Sequence, residues 1–385
     1  MIPLAEPNLD GNESKLLQNC ISSGYVSSSG PYIKEFEKKL SLSTGGKYTV
    51  STSSGTSALH LALKSYGIGY GDIVIIPAYS FVATANSVSM SGASPWFIDI
   101  ESNSWTLDCN LVDEQLRCQT NWKGDHIYHN KTGQKIACIM PVNTLGIVCN
   151  IDAVEQIANK YNLKVIIDGA ASIGAEYNNN QIAKNISGLI TFSFNGNKII
   201  TTGGGGAVIG NDKSLMGLIR EKSGTGKVYN GSYNHDVIGY NHRMTNVEAA
   251  IGCAQLDRID EFIYNKRYIL ETYNQAITDV PGLSSIPSPK WSISSAWMSG
   301  VQVNRNVYPN IDKIIQYLNL NNIGAKLFWQ NLSTQTPYKK YLHSKTNVTE
   351  KISREFIALP CSTNLEKNNQ EWIISKLYEA CKLAV

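Results

Sequence analysis

Lys198 stands between two short apolar runs in LITFSFNGNKIITTGGGGAVIG (189–210), with four successive glycines, Gly203 to Gly206, just behind it. A desolvated amine loses its proton, and a lysine on so crowded a turn can act as a nucleophile that forms a Schiff base. On this stretch alone, an exposed lysine beside a glycine bend is the plainer alternative. Asp168 places a carboxylate at the end of a second apolar run, KVIID (164–168). Gly55, Thr56 and Ser57 open the segment GTSALHLALKSYG, offering backbone N–H groups and hydroxyls at a positive helix end. That arrangement suits a phosphate, and an ordinary N-cap uses the same residues. Asn241 and Arg243 precede another helical run and could meet an anion in the same way.

The elements that must carry these residues alternate. Ala58, Leu59, Ala62, Leu63 and Tyr66 recur at helical spacing, and Gly67 is a C-terminal stop. Strands are expected at 47–52, 72–77, 95–100, 136–142, 164–168, 189–194 and 207–209. Helices are expected at 13–22, 32–40, 83–90, 151–161 and 213–221, with one long amphipathic helix over 244–259. Such alternation, with strands apolar on both faces, predicts an α/β fold whose mostly parallel sheet is covered by helices on both sides. Ligands collect at the carboxyl ends of strands in such sheets. Asp168, the Gly55–Ser57 turn and Lys198 each follow a strand, so they converge. The turn-rich PGLSSIPSPK (281–290) leads into a smaller α+β unit with a strand over 296–303 and helices over 311–319 and 370–383. The chain is thus expected to hold a large domain, 1–265, with an N-terminal arm, and a small C-terminal domain, 266–385.

Composition removes other classes. The 385 residues carry a net charge of +3 without any basic run, which argues against nucleic-acid binding. Eight cysteines form no CxxC pair and read as reduced thiols. No apolar run spans a bilayer, and MIPLAEPNLDGNE is no secretory signal, so a cytoplasmic protein is expected. The polar 117–135 segment, with Trp122, Asp125, His126 and His129, reads as a surface insertion and lacks a third anchored ligand for a metal. In the flexible stretch SGTGKVYNGSYNHD, GTGK is no P-loop, because Glu221 and Val228 occupy the required Gly and Ser/Thr positions. No GxGxxG follows a strand, so a dinucleotide oxidoreductase is not supported.

Five ordered segments carry a family resemblance: GTSALHLAL, PAYSFVATAN, VIIDGAASIGA, FSFNGNKIITTGGGG and YNHRMTNVEAAIGCAQL. The chain resembles the DegT/DnrJ/StrS-type nucleotide-sugar aminotransferases, pyridoxal 5'-phosphate enzymes of the aspartate-aminotransferase fold. The resemblance implies that Lys198 is the Schiff-base lysine and Asp168 the carboxylate facing the pyridine nitrogen. It implies that Gly55, Thr56, Ser57 and Ser193 hold the cofactor phosphate and that Phe81 stacks on the ring. Asn241 would reach the phosphate from the other subunit of a homodimer. Departures from the family pattern stand at Ala171, Asn143 and Gly204, where Gln or His, His and Glu are usual.

The resemblance is strongest, through WTLD (105–108), FWQNLSTQTPY (328–338) and LPCSTNL (359–365), to a subgroup that aminates UDP-linked 4-keto-6-deoxy-N-acetylhexosamines. The donor implied is an amino acid, L-glutamate. Alternatives are a dTDP- or GDP-linked 3- or 4-ketohexose as acceptor, or a catalytically silent regulatory protein on the same fold. Tyr25 and Ser27 in GYVSSSG (24–30), together with Trp329 and the 126–129 segment, are the candidate sugar contacts.

Overall fold

The computed structural model describes residues 1–227 and 233–384. Its centre is a sheet whose strands run, in spatial order, Tyr48–Thr52, Gly206–Gly210, Leu189–Ser193, Lys164–Asp168, Lys135–Ile139, Asp72–Pro77, Ser94–Ile98 and Leu342–His343. Gly206–Gly210 is antiparallel to both its neighbours, and the pairs from Leu189–Ser193 onward are parallel. This is the mostly parallel α/β sheet that the alternating pattern predicts.

Local chemistry explains the best-defined elements. The Ile151–Tyr161 helix starts where the Asn150 side chain accepts from the Ala153 N–H, and it ends where Asn162 turns left-handed. Its buried Ile151, Val154, Ile157, Ala158 and Tyr161 form one face. Lys164–Asp168 is buried in all but its first residue, as its run of Val and Ile requires between two helix layers. A buried carboxylate, Glu37, ties helix Pro31–Thr44 to the first strand and to Arg220. It accepts from the Ser51 N–H and hydroxyl and forms a two-pronged ion pair with the guanidinium.

Three expectations change. The polar 117–135 segment is not an irregular excursion. Helix Cys109–Gln119 runs through its start, and Thr120–Lys123 and His126–His129 form an antiparallel hairpin. The hairpin joins the sheet where Tyr128 pairs with Lys135, at the amino end of a parallel strand. The 244–259 helix is two helices, Asn246–Leu256 and Ile259–Ile277, separated at Asp257 and Arg258. The N-terminal arm is not merely a polar tail. Ile2 pairs with the backbone at Asn322 and Gly324, and the Leu4 carbonyl accepts from the Cys361 N–H.

The C-terminal part forms its own four-stranded sheet from Leu283–Ser284, Ser299–Val303, Phe356–Leu359 and Lys326–Leu327. Helix Asn347–Glu355 and strand Phe356–Leu359 fill what reads from sequence as a polar gap. Helix Ile259–Ile277 runs without interruption across residue 265, and Leu342–His343 pairs into the large sheet. A large and a small domain meeting near residue 265 is a division we propose. Part of the 223–236 stretch, residues 228–232, lies outside the described residues. Among the described residues, no helix is long and apolar enough to cross a membrane, and no group of three or more His, Cys, Asp or Glu side chains is placed to hold a metal.

Candidate active site

Loops at the carboxyl edge of the parallel strands, with segments 297 and 326–329, enclose a cavity of about 440 Å³. Asp168 ends its strand there, buried to 5% exposure. One carboxylate oxygen accepts from the Thr84 hydroxyl at 2.7 Å and the other from the Ala170 N–H at 3.1 Å. Thr84 in turn lies 2.7 Å from the Ser80 hydroxyl. Burial pushes the Asp168 carboxyl up, opposed by these two hydrogen bonds and by Lys198 across the cavity.

Lys198 follows the Leu189–Ser193 strand on a turn closed by its own N–H to the Asn195 carbonyl. Its side chain lines the cavity, with the amine 3.8 Å from the centre of the Trp297 ring. Surrounding protein desolvates that amine and lowers it to about 8, with Asp168 pulling the other way. The residue is half-buried, and it lines the cavity. An amine so tuned can hold or release a proton near neutral pH.

At a third corner, helix Gly55–Ser65 points its amino end into the cavity. The first-turn N–H groups of Gly55 and Thr56 have no acceptor within the helix. A Cβ on residue 55 would sit 2.7 Å from the Ser193 Cβ, so only glycine lets the turn close over the Ser193 hydroxyl. Ser57, expected among the phosphate contacts, does not line the cavity. Its N–H and hydroxyl are turned to the Ser54 side chain, where they complete the cap. Gly204 and Gly205 form the adjoining wall. A side chain at 205 would strike Thr202 Oγ1 at 2.2 Å, and its φ of 81° suits glycine.

Phe81, Ala171, Asn143 and Trp329 all line the cavity. Phe81 is 58% exposed, leaving a ring face available at the mouth. Asn143 is fully buried; its side chain donates to Ser172 and accepts from the Cys149 N–H, so it braces the wall. Asn241 is exposed and does not line the cavity of its own chain. Neither do Tyr25 and Ser27. Their backbone carbonyls accept from the Asn246 side chain and N–H, which pins the loop to the start of a helix. The 126–129 hairpin lies at the other end of the strands, which removes it as a sugar contact of this cavity.

Sequence reasoning missed four contributors. Thr84 orients Asp168 from within PAYSFVATAN, a quoted segment in which only Phe81 drew notice. Trp297, Lys326 and Phe328 also line the cavity. Trp297, Phe328 and Trp329 pack as an aromatic group, with centroids 4.9 to 6.0 Å apart. Lys326 is the other cation on the wall.

The model of the DegT/DnrJ/EryC1/StrS aminotransferase family matches residues 7–378. The chain belongs to that family. The aminotransferase is 32% identical to the GDP-perosamine synthase of Caulobacter vibrioides, over 98% of this chain and 97% of that one. It is 38% identical to the GDP-perosamine synthase of Escherichia coli O157:H7, over 72% of each chain. Its structure resembles that of a DegT DnrJ EryC1 StrS aminotransferase from Brucella abortus, with a TM-score of 0.87 at 25% identity, covering 96% and 95% of the two chains. Enzyme class and fold are therefore those the five sequence segments imply. The cavity also passes a chemical test for the cofactor, pyridoxal phosphate. It presents a carboxylate, an amine lowered by burial, a helix amino end and an exposed aromatic side chain, all lining one cavity.

Proposed function

We propose that this aminotransferase transfers an amino group from an amino acid, L-glutamate, to C4 of a nucleotide-linked 4-keto-6-deoxy sugar, a UDP-N-acetylhexosamine derivative. The observation that carries the reading is the convergence of Lys198, Asp168 and the Gly55–Thr56 helix start on one cavity. Bound there, pyridoxal phosphate supplies a sink for the electron pair left when a substrate carbon loses its proton.

The chain's residues do the rest. Gly55, Thr56 and Ser193 would hold the phosphate, and Phe81 the ring face. Asp168 would hold the ring nitrogen protonated, because an opposite charge raises a cation's pKa. Lys198 Nζ takes the proton from the donor's α-carbon and later returns one to the acceptor carbon, a role its lowered pKa suits. Trp329 and Phe328 form the apolar wall where a sugar ring would lie, a use that aromatic faces in concave sites commonly serve. We further propose a homodimer working in the cytoplasm. Asn241, exposed and outside its own chain's cavity, would then reach the phosphate bound by the second copy.

A second reading, a GDP-linked 4-keto-6-deoxyhexose, is favoured by the names of the relatives just described. One assay separates the two: amination of UDP-, dTDP- and GDP-linked 4-ketosugars with glutamate, compared by kcat/KM. A preference of at least tenfold for the UDP-N-acetyl sugar supports the first reading. A comparable preference for the GDP sugar would replace it.

A further inference from the structure

Lys266 is a charge-bearing side chain that the chemistry above leaves unused. It is 2% exposed, on helix Ile259–Ile277, and it forms no ion pair among the described residues. Its amine donates instead to two backbone carbonyls, those of Trp297 at 2.9 Å and Cys361, and lies 3.5 Å from the Cys361 sulfur. Burying a lysine without an opposite charge beside it costs free energy, which its hydrogen bonds to the two carbonyls offset in part. What it secures is the carbonyl of the residue whose ring faces Lys198.

The segment around Trp297 is held from several sides. The Arg267 guanidinium, next along the same helix, donates to the Ser294 carbonyl at 2.9 Å and to the Gly174 carbonyl at 3.0 Å. The Ser295 hydroxyl donates to the Ala171 carbonyl at 2.8 Å, tying the segment to the cavity wall. Ala296 adopts a left-handed φ of 53°, a conformation unfavourable for a residue with a side chain. Strain of this kind persists only where the surroundings enforce it. The Trp297 indole N–H then donates to the Asn197 carbonyl at 2.7 Å, one residue before the lysine. Its ring is fixed at both ends, beneath an amine 3.8 Å from its centre.

We propose that Lys266 is a positioning residue for transamination: by clamping the Trp297 carbonyl it fixes the indole face on which the released Lys198 amine rests, keeping water from the proton that amine carries. The inference rests on the function proposed above. In the proton step, the Lys198 nitrogen lone pair would take H⁺ from the substrate carbon, with pyridoxal phosphate, when bound, supplying the sink for the C–H electron pair. Nζ then returns H⁺ when that pair is used again. A ring face attracts the transient ammonium and also excludes water from it. The other charged groups around the cavity are Asp168, at the end of the Lys164–Asp168 strand, and Lys326, on Lys326–Leu327. Neither touches Lys266.

Three variants test this: Lys266→Met, which keeps the apolar stem without its donors, Trp297→Leu, which removes the ring, and Trp297→Phe, which retains one. Two readouts are used. The first follows deuterium from [2-²H]glutamate in single-turnover half-reactions, measuring how much label stays with the enzyme-bound product. The second needs no cofactor: acetylation of Lys198 in cofactor-free protein, followed by peptide mass spectrometry across pH. Expected for Lys266→Met and Trp297→Leu are loss of retained label, a half-reaction rate lowered tenfold or more, and a labelling midpoint moved upward by about one pH unit as water reaches the amine. Trp297→Phe should recover most of the retention. Lys266→Met with rate, label retention and midpoint all within experimental error of wild type would overturn the proposal, whatever Trp297→Leu shows. A wild-type protein that fails to transaminate would defeat the proposed function, while the labelling arm still decides on Lys266.

Discussion

Asp168→Asn is a substitution whose outcome the geometry specifies closely. One carboxylate oxygen faces the Ala170 N–H, which can only donate, so the asparagine oxygen must take that side. Its amide then faces the Thr84 hydroxyl, which can accept and turn its own proton toward Ser80, 2.7 Å away. Shape and hydrogen bonding are preserved, and only the charge is removed. A unit charge pair about 4 Å apart at an effective dielectric near 20 is worth about 4 kcal/mol. Loss of one preorganised group commonly lowers kcat by about 100- to 1000-fold.

The fold should not suffer. Burial raises the folded-state pKa of Asp168 above its unfolded value, so the ionised carboxylate costs stability at neutral pH, and that cost fades as the pH falls through the folded value. Asparagine carries no such cost, so the cofactor-free variant should melt no lower than wild type at pH 7. The assay is kcat for the glutamate reaction alongside cofactor absorbance and a melting curve. A variant that loads cofactor and retains more than a tenth of wild-type kcat would refute the role given to this charge.

Two further substitutions probe the other corners of the cavity. Lys198→Ala should abolish turnover while the protein remains folded. The wild-type amine is lowered to about 8 in the fold, so its charge is penalised below that pH and the penalty fades as the pH rises toward its ordinary value. Cofactor-free Lys198→Ala should therefore melt above wild type at pH 7, with the difference shrinking by pH 10. Gly55→Ala brings a methyl to 2.7 Å from the Ser193 Cβ. Cofactor affinity, measured by equilibrium titration, should fall about tenfold or more, the equivalent of about 1.4 kcal/mol, with little change in kcat at saturation.

What could be read in the sequence depended on how local its signal is. Ile151–Tyr161 and Lys164–Asp168 appear where the pattern places them, because one has a capping Asn and a single apolar face and the other is apolar throughout. The 120–129 hairpin escaped because its first strand is largely exposed and Ile127 is the only hydrophobic residue it buries in the core. The break at Asp257 is invisible to periodicity, since both helices carry buried apolar residues on either side of it. In the site, Lys198, Asp168 and Gly55 announced themselves by chemistry tied to a strand end. Trp297 did not. The pattern reads it into a strand over 296–303, whereas the strand begins at Ser299 and Trp297 follows an alanine whose left-handed backbone no sequence rule would assign to it.

The Tyr48–Thr52 strand makes its ladder with Gly206–Gly210, and Gly206 packs so tightly under Ser54 that a Cβ there would come within 2.5 Å of the Ser54 backbone. A nascent chain leaving the ribosome must therefore carry its first strand, and the helix start behind it, without a strand partner while roughly 150 further residues are made, a delay on the order of ten seconds or more at ordinary synthesis rates. The anion-receiving turn, among the earliest parts translated, acquires its floor only when synthesis is about half done. Pairing across so long a stretch of chain is slow and leaves an edge open meanwhile, so chaperone demand and aggregation during expression should track changes in residues 203–210 more than changes in the early strand itself.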